Sequence, residues 1–156
     1  MKLLKYILPV VLLASIAGCK NDEDKIDTEY PVIDITSANA FPIQCSTLTR
    51  GQKFTFRAKL SDNVALGSYS LDIHHNFDHH SHSTEVSNCN VDPIKTPVKP
   101  FLLINTFQIP DGQTVYEASN ELTVPADIDP GDYHFLIKVT DKEGWQTLKG
   151  ISIKIK

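Results

Sequence analysis

Apolar and polar residues alternate with a period of two in several stretches of this chain, most clearly in "DYHFLIKVTD" at 132–141. Neighbouring side chains of an extended strand point to opposite faces, so the apolar residues of this segment would share one buried face. These residues are Tyr133, Phe135, Ile137 and Val139. The alternation therefore predicts a β-strand rather than a helix.

The same pattern recurs in further segments that are bounded by Gly, Pro, Asn and Asp. We predict strands at 31–36, 53–60, 67–74, 101–109, 115–124, 132–141 and 147–155. The rest of the chain has no convincing helical period. The sequence thus predicts an all-β fold, a β-sandwich of about seven antiparallel strands over residues 31–156.

Residues 1–18 have the features of an export signal: Lys2 and Lys5, an apolar run at 6–13, and small residues before Cys19. The run is too short for a permanent membrane-spanning helix. The segment "SIAGC" resembles the lipobox of bacterial lipoproteins. This resemblance implies that the signal peptide is removed and that Cys19 becomes a lipidated first residue. The alternative is an ordinary secreted protein in which Cys19 has no role.

Residues 19–30 contain the acidic, polar segment "KNDEDKIDTE", which predicts a flexible tether between the lipid and the domain. An acidic cluster after the lipidated cysteine resembles the surface-export signal of Bacteroidetes lipoproteins. Lys20 replaces the aspartate that retains some lipoproteins in the inner membrane. We therefore expect a lipid anchor in the outer membrane and exposure at the cell surface. The alternative is a solvated linker that carries no localisation signal.

Removal of residues 1–18 leaves 138 residues with 13 basic and 19 acidic side chains, which is the size of one domain with its own core. No basic patch suggests a nucleic-acid partner. The expected partners are the membrane, through the lipid anchor, and a protein or transport partner at the cell surface.

Cys45 and Cys89 remain if Cys19 is lipidated. Disulfides persist outside the cytoplasm, so we predict that these two cysteines pair. A thiolate metal site is the alternative use of the same residues.

The closing segment "PADIDPGDYHFLIKVTDKEGWQTLKGISIKI" resembles the last two strands of bacterial immunoglobulin-like and cadherin-like domains, with Tyr133 as the corner tyrosine. With "LSDNVALGSYSLDIHHNFDHH", residues 31–156 are similar to a Bacteroidetes lipoprotein family, a domain of unknown function with a His-rich "H-x-N-F-D-H-H" segment. The resemblance implies an immunoglobulin-like sandwich. It implies no activity, so a function must be argued from the residues themselves.

Five of the six histidines lie in "IHHNFDHHSHSTE" at 73–85, and the sixth is His134. Alternation places His74 and His134 on the outer face of their strands. In an immunoglobulin-like fold these strands are antiparallel neighbours, so the two imidazoles would meet at one corner. The histidine-rich loop leaves from that corner, which brings further imidazoles within reach.

Neutral imidazoles that converge on one point are suitable ligands for a transition metal ion, most plausibly Zn²⁺ or Cu²⁺. The candidate ligands are His74, His134 and two of His79, His80 and His82, with Asp78 in reserve. His75 points inward and is expected to pack. The alternative is a solvated loop that binds no metal.

These features predict a surface lipoprotein that captures, buffers or delivers a transition metal. The alternative is a structural or adhesive module in which any metal only fixes a loop. An enzyme is less favoured, because Ser81 and Ser83 beside the histidines lack a nucleophile elbow. Two weaker hypotheses are a Ca²⁺ site in the turn that holds Asp127, Asp129 and Asp132, and a ligand platform at Trp145.

Overall fold

The computed structural model describes residues 26–81 and 89–156, which form two packed β-sheets. The strands are β1 (Val32–Asp34), β2 (Ser46–Leu48), β3 (Lys53–Ser61), β4 (Leu66–His75), β5 (Leu103–Gln108), β6 (Val115–Thr123), β7 (Gly131–Asp141) and β8 (Gln146–Ile155). One sheet has the order β1-β3-β6 and the other the order β2-β8-β7-β4-β5. The described residues contain no helix, so the predicted all-β, immunoglobulin-like sandwich is confirmed.

All seven predicted strands are present, although the first is limited to Val32–Asp34. The eighth strand, β2, was not predicted, and it pairs in parallel with β8. The seven predicted strands pair antiparallel with one another, and this short strand adds one parallel pair. With three residues, β2 is too short to show an alternating pattern, which is why the sequence did not reveal it.

Aromatic rings from both sheets fill the core. The side chain of Phe135 in β7 is fully buried, and its ring stacks on Phe56 of β3 with a centroid distance of 5.8 Å. Tyr69 of β4 lies 6.2 Å from the same Phe56 ring. Burial of each large apolar side chain contributes about 1.5 to 3 kcal/mol, so these contacts hold β4 and β7 firmly against the opposite sheet.

Tyr133 forms the corner that the sequence predicted. Its hydroxyl donates to the backbone oxygen of Asp129 at 2.6 Å and accepts from the backbone nitrogen of Phe101 at 3.2 Å. Burial raises the pKa of the Tyr133 hydroxyl above its ordinary value, so the group remains a neutral donor. These bonds fix the chain where it enters β7.

Cys45 and Cys89 form a disulfide with Cα atoms 5.4 Å apart, which confirms the predicted pairing. The backbone nitrogen of Cys45 also donates to Ser152 of β8 at 2.9 Å. The bond therefore holds the chain that follows the histidine-rich loop close to the edge of the five-stranded sheet.

The predicted signal peptide at 1–18, Cys19 and residues 20–25 of the tether lie outside the described residues. In the part that the structure describes, no helix has the length and apolar character needed to cross a membrane.

Candidate metal centre

His74 and His134 lie side by side on the outer face of the five-stranded sheet. They are register partners in the antiparallel pair of β4 and β7, and their ring centroids are 5.3 Å apart. Tyr133 and Phe135, the neighbours of His134, are fully buried in the core, so alternation places the His134 side chain on the opposite face. The structure thus places these two histidines as the strand pattern predicted.

The loop that follows β4 folds back over this face. Phe77 is buried and packs edge-on against Tyr133, with a centroid distance of 5.3 Å. His79 adopts a φ of 58°, a left-handed conformation that reverses the chain. The anchor at Phe77 and the turn at His79 together bring His80 back onto the sheet.

His80 completes a group of three imidazoles, here termed the histidine cluster (His74, His80 and His134). The His80 ring centroid lies 4.7 Å from that of His134 and 5.7 Å from that of His74. One ring nitrogen from each residue lies within 4.8 Å of the other two. Nitrogens on a tetrahedral Zn²⁺ are about 3.4 Å apart, so small side-chain rotations would bring all three onto one ion.

Two carboxylates orient rings of the cluster. Asp72 Oδ1 lies 2.7 Å from His74 Nδ1, and Asp78 Oδ1 lies 2.6 Å from His80 Nδ1. An ionised carboxylate can only accept, so each Nδ1 donates and the lone pair of each neutral ring is on Nε2. The hydrogen bond from His80 lowers the pKa of Asp78 below its ordinary value. Histidines that bind metals commonly donate their second ring nitrogen to a carboxylate in this way.

The cluster is buried on the side of the sheet and partly open on the side of the loop. His134 is 1% exposed, because His80 covers it and one of its ring nitrogens lies 3.2 Å from the backbone oxygen of His80. The side chains of His74 and His80 are 23% and 35% exposed. An ion could therefore enter from solvent without any separation of the sheets.

The structure does not bring His79 or Asp78 into the group of converging ring nitrogens. The Nε2 atom of His79 lies 2.8 Å from the backbone oxygen of Asp92, away from the cluster. Asp78 contacts the ring of His80, so it would orient a candidate ligand rather than bind an ion itself. His82 lies outside the described residues.

Asp72 is the residue of this candidate site that the sequence analysis did not include. It lies two positions before His74 on the same outer face of β4, so strand parity alone could have identified it as a partner. His75, which was expected to pack, has its ring 4.9 Å from that of Phe77.

The acidic turn that was considered for Ca²⁺ does not form a cluster, because each carboxylate has its own structural partner. These partners are the Lys99 ammonium for Asp127, the backbone nitrogens of Val98 and Lys99 for Asp129, and the backbone nitrogen of Asp92 for Asp132. The rings of Trp145 and Tyr30 pack with a centroid distance of 4.9 Å, so Trp145 contacts the N-terminal segment.

Two solved structures are similar to part of this chain. A GspB Siglec domain is 20% identical with a TM-score of 0.43, over 83% of this chain and 59% of that chain. Spo0M, a sporulation control protein from Bacillus subtilis, is 9% identical with a TM-score of 0.43, over 83% of this chain and 50% of that chain. The chain thus spans between half and three fifths of the length of either structure.

No curated protein matches the chain. The model of one family, described as a domain of unknown function, matches residues 17–156 and so covers nearly the whole sequence. The chain therefore belongs to the DUF4625 family.

Proposed function

We propose that this protein is a lipid-anchored surface protein that binds one transition metal ion through the histidine cluster, in order to capture, buffer or deliver that ion. The observation that carries the proposal is the approach of one ring nitrogen each from His74, His80 and His134 to within 4.8 Å of the others. Convergence of three imidazoles from two strands and a loop is a geometry that suits a transition metal.

The ligand set supports Zn²⁺ or Cu²⁺. Both ions bind imidazole well, and Cys45 and Cys89 offer no thiolate because they are bonded to each other. Three histidines leave a fourth position on a tetrahedral ion for water or for a further ligand such as His82. The carboxylates of Asp72 and Asp78 would partly balance the charge of the bound ion while holding two of the rings in place.

The partial exposure of the cluster supports exchange of the ion rather than permanent storage. Structural zinc sites are usually closed by four protein ligands, whereas His74 and His80 remain open to solvent. A hydrogen bond between His134 and the backbone of His80 also holds the loop against the sheet. Metal should therefore change the melting temperature only modestly. A large loss of stability on chelation would instead favour a structural or adhesive module.

Replacement of a cluster histidine should weaken metal binding strongly. We expect His134→Ala and His80→Ala each to lower the affinity for Zn²⁺ and Cu²⁺ by about 10- to 100-fold or more, since even the loss of a residue that orients a ligand has an effect of this size. Titration calorimetry on protein purified without a histidine tag measures this change.

His79→Asn is the matched control, because it removes an imidazole from the same loop but outside the cluster. Asparagine tolerates the left-handed backbone conformation at this position. The control should keep the wild-type affinity. Equal losses in His80→Ala and His79→Asn, with an unchanged affinity in His134→Ala, would mean that the loop alone binds the ion as a His-rich peptide and that His134 lies outside the site.

The lipid anchor has a separate test. We expect cells that express the protein to incorporate labelled palmitate into it, and we expect Cys19→Ala to abolish the label and release the protein from membranes. Persistent labelling of the variant would contradict the lipobox interpretation. Protease added to intact cells then tests surface exposure, since only a domain on the outer face would be digested.

A further inference from the structure

Three aspartates from separate segments of the chain meet at one end of the sandwich. Asp27 precedes β1, Asp62 follows β3, and Asp141 is the last residue of β7. One carboxylate oxygen from each residue lies within 4.8 Å of the other two. Asp27 is 6% exposed and Asp141 is 4% exposed, so the group is largely withdrawn from water.

Each of the three carboxylates has one oxygen that is fixed by hydrogen bonds. Two donors, mostly backbone N–H groups, bind that oxygen at distances of 2.6 to 3.0 Å. The donors are Glu29 and Asn63 for Asp27 Oδ1, Val64 and Ala65 for Asp62 Oδ2, and Gly144 and Trp145 for Asp141 Oδ1. The local turns therefore set the orientation of all three carboxylates.

The second oxygen of each carboxylate is buried and accepts no hydrogen bond from any described residue. These atoms are Asp27 Oδ2, Asp62 Oδ1 and Asp141 Oδ2. No lysine or arginine within 26–81 and 89–156 lies at ion-pairing distance from any of them. Three anions at this spacing repel one another, and a buried anion without a partner is costly. A cation bound between the three carboxylates would offset both costs.

We propose that Asp27, Asp62 and Asp141 bind a Ca²⁺ ion through these buried oxygens. Calcium accepts six to eight oxygen ligands in flexible geometry, so carboxylates from three different loops suit it. Mg²⁺ usually keeps several waters, and Zn²⁺ or Cu²⁺ would favour the imidazoles of the histidine cluster. Because the two sites share no ligand, this inference does not depend on the proposed function.

The bound ion would fasten the N-terminal segment to the domain. The indole nitrogen of Trp145 donates to the backbone oxygen of Asp27 at 2.9 Å, and the backbone nitrogen of Trp145 donates to Asp141 at 2.8 Å. Ca²⁺ would thus link the residues before β1 to the ends of β3 and β7. The calcium concentration around the protein would then determine whether the N-terminal segment is fastened to the domain.

Trp145 makes the test specific, because it is the only tryptophan in the sequence and touches two of the proposed ligands. Protein freed of metal with EGTA should show a saturable change in tryptophan fluorescence and a rise in melting temperature when Ca²⁺ is added. Tb³⁺, which can replace Ca²⁺ in oxygen sites, should emit when excited through this indole. Asp62→Asn and Asp141→Asn keep the capping oxygen but should each lower the affinity for Ca²⁺ by about tenfold or more.

Asp129→Asn is the matched control, since Asp129 also binds two backbone amides but lies outside the group. This variant should respond to Ca²⁺ as the wild type does. Without metal, Asp62→Asn should melt at or above the wild-type temperature, because it relieves the repulsion. Absence of any calcium response in the wild type, or an equal response in Asp62→Asn, would overturn the proposal. Stabilisation by lower pH with no effect of Ca²⁺ would do so as well, since a proton would then balance the carboxylates.

Discussion

Loss of the disulfide between Cys45 and Cys89 should lower the free energy of unfolding by about 4 kcal/mol, because the bond closes a long loop in the unfolded chain. The two cysteines are 44 residues apart, and the loop between them includes β2, β3, β4 and the histidine-rich segment. Urea denaturation of the wild type and of the Cys45→Ser, Cys89→Ser double variant measures the difference. Reductant should destabilise the wild type and leave the double variant unchanged.

The same change should weaken metal binding, because the disulfide limits where the chain after His80 can go. We expect the double variant to bind Zn²⁺ less tightly than the wild type at a temperature where both are folded. An unchanged free energy of unfolding would show that closing this loop does not stabilise the fold. An unchanged affinity would show that Phe77 and the turn at His79 position the cluster without help.

Phe135→Ala should cost about 3 to 5 kcal/mol of stability, the range observed when a buried phenylalanine is truncated. The ring lies between the sheets, 5.8 Å from Phe56 and 6.4 Å from Phe54 in the opposite sheet, and the side chain is fully buried. Its loss would leave a cavity directly beneath β4 and β7. Urea denaturation at constant pH measures the change.

Leu148→Ala is the control for this prediction, since Leu148 lies on the neighbouring strand β8 but is 42% exposed. Its replacement should change the free energy of unfolding by no more than about 0.5 kcal/mol. A cost below about 1 kcal/mol for Phe135→Ala would contradict the packing of the two sheets around this ring.

Strand alternation predicted most of the fold because a period of two is visible in a single sequence. It also placed His74 and His134 on one face, and the immunoglobulin-like order of strands made them neighbours. His80 could not be distinguished from His79 in this way. The left-handed turn at His79 decides which of the two imidazoles joins the cluster, and no residue pattern in the loop predicts this turn.

The acidic group of Asp27, Asp62 and Asp141 could not be predicted from the sequence, for a different reason. Its members lie 35 and 79 residues apart, in segments that share no sequence pattern. The turn with Asp127 and Asp129 has more acid within a few residues, yet its carboxylates bind Lys99 and the backbone of Val98 and Lys99, which lie 28 to 31 residues earlier in the chain. Local density of aspartate was therefore misleading, and only the tertiary fold reveals which buried oxygens have no donor.

Strand β7 carries one residue of each candidate ion site, so its length sets the distance between the two sites. Its fourth residue is His134 and its last is Asp141, so the two candidate ion sites are about 23 Å apart at the rise of an extended chain. The N-terminal segment joins the domain at the Asp141 end, where Tyr30 and Asp27 contact Trp145. If the domain is lipid-anchored through its N-terminus, as proposed, the imidazoles would therefore point away from the lipid surface and toward ions that diffuse in from the medium.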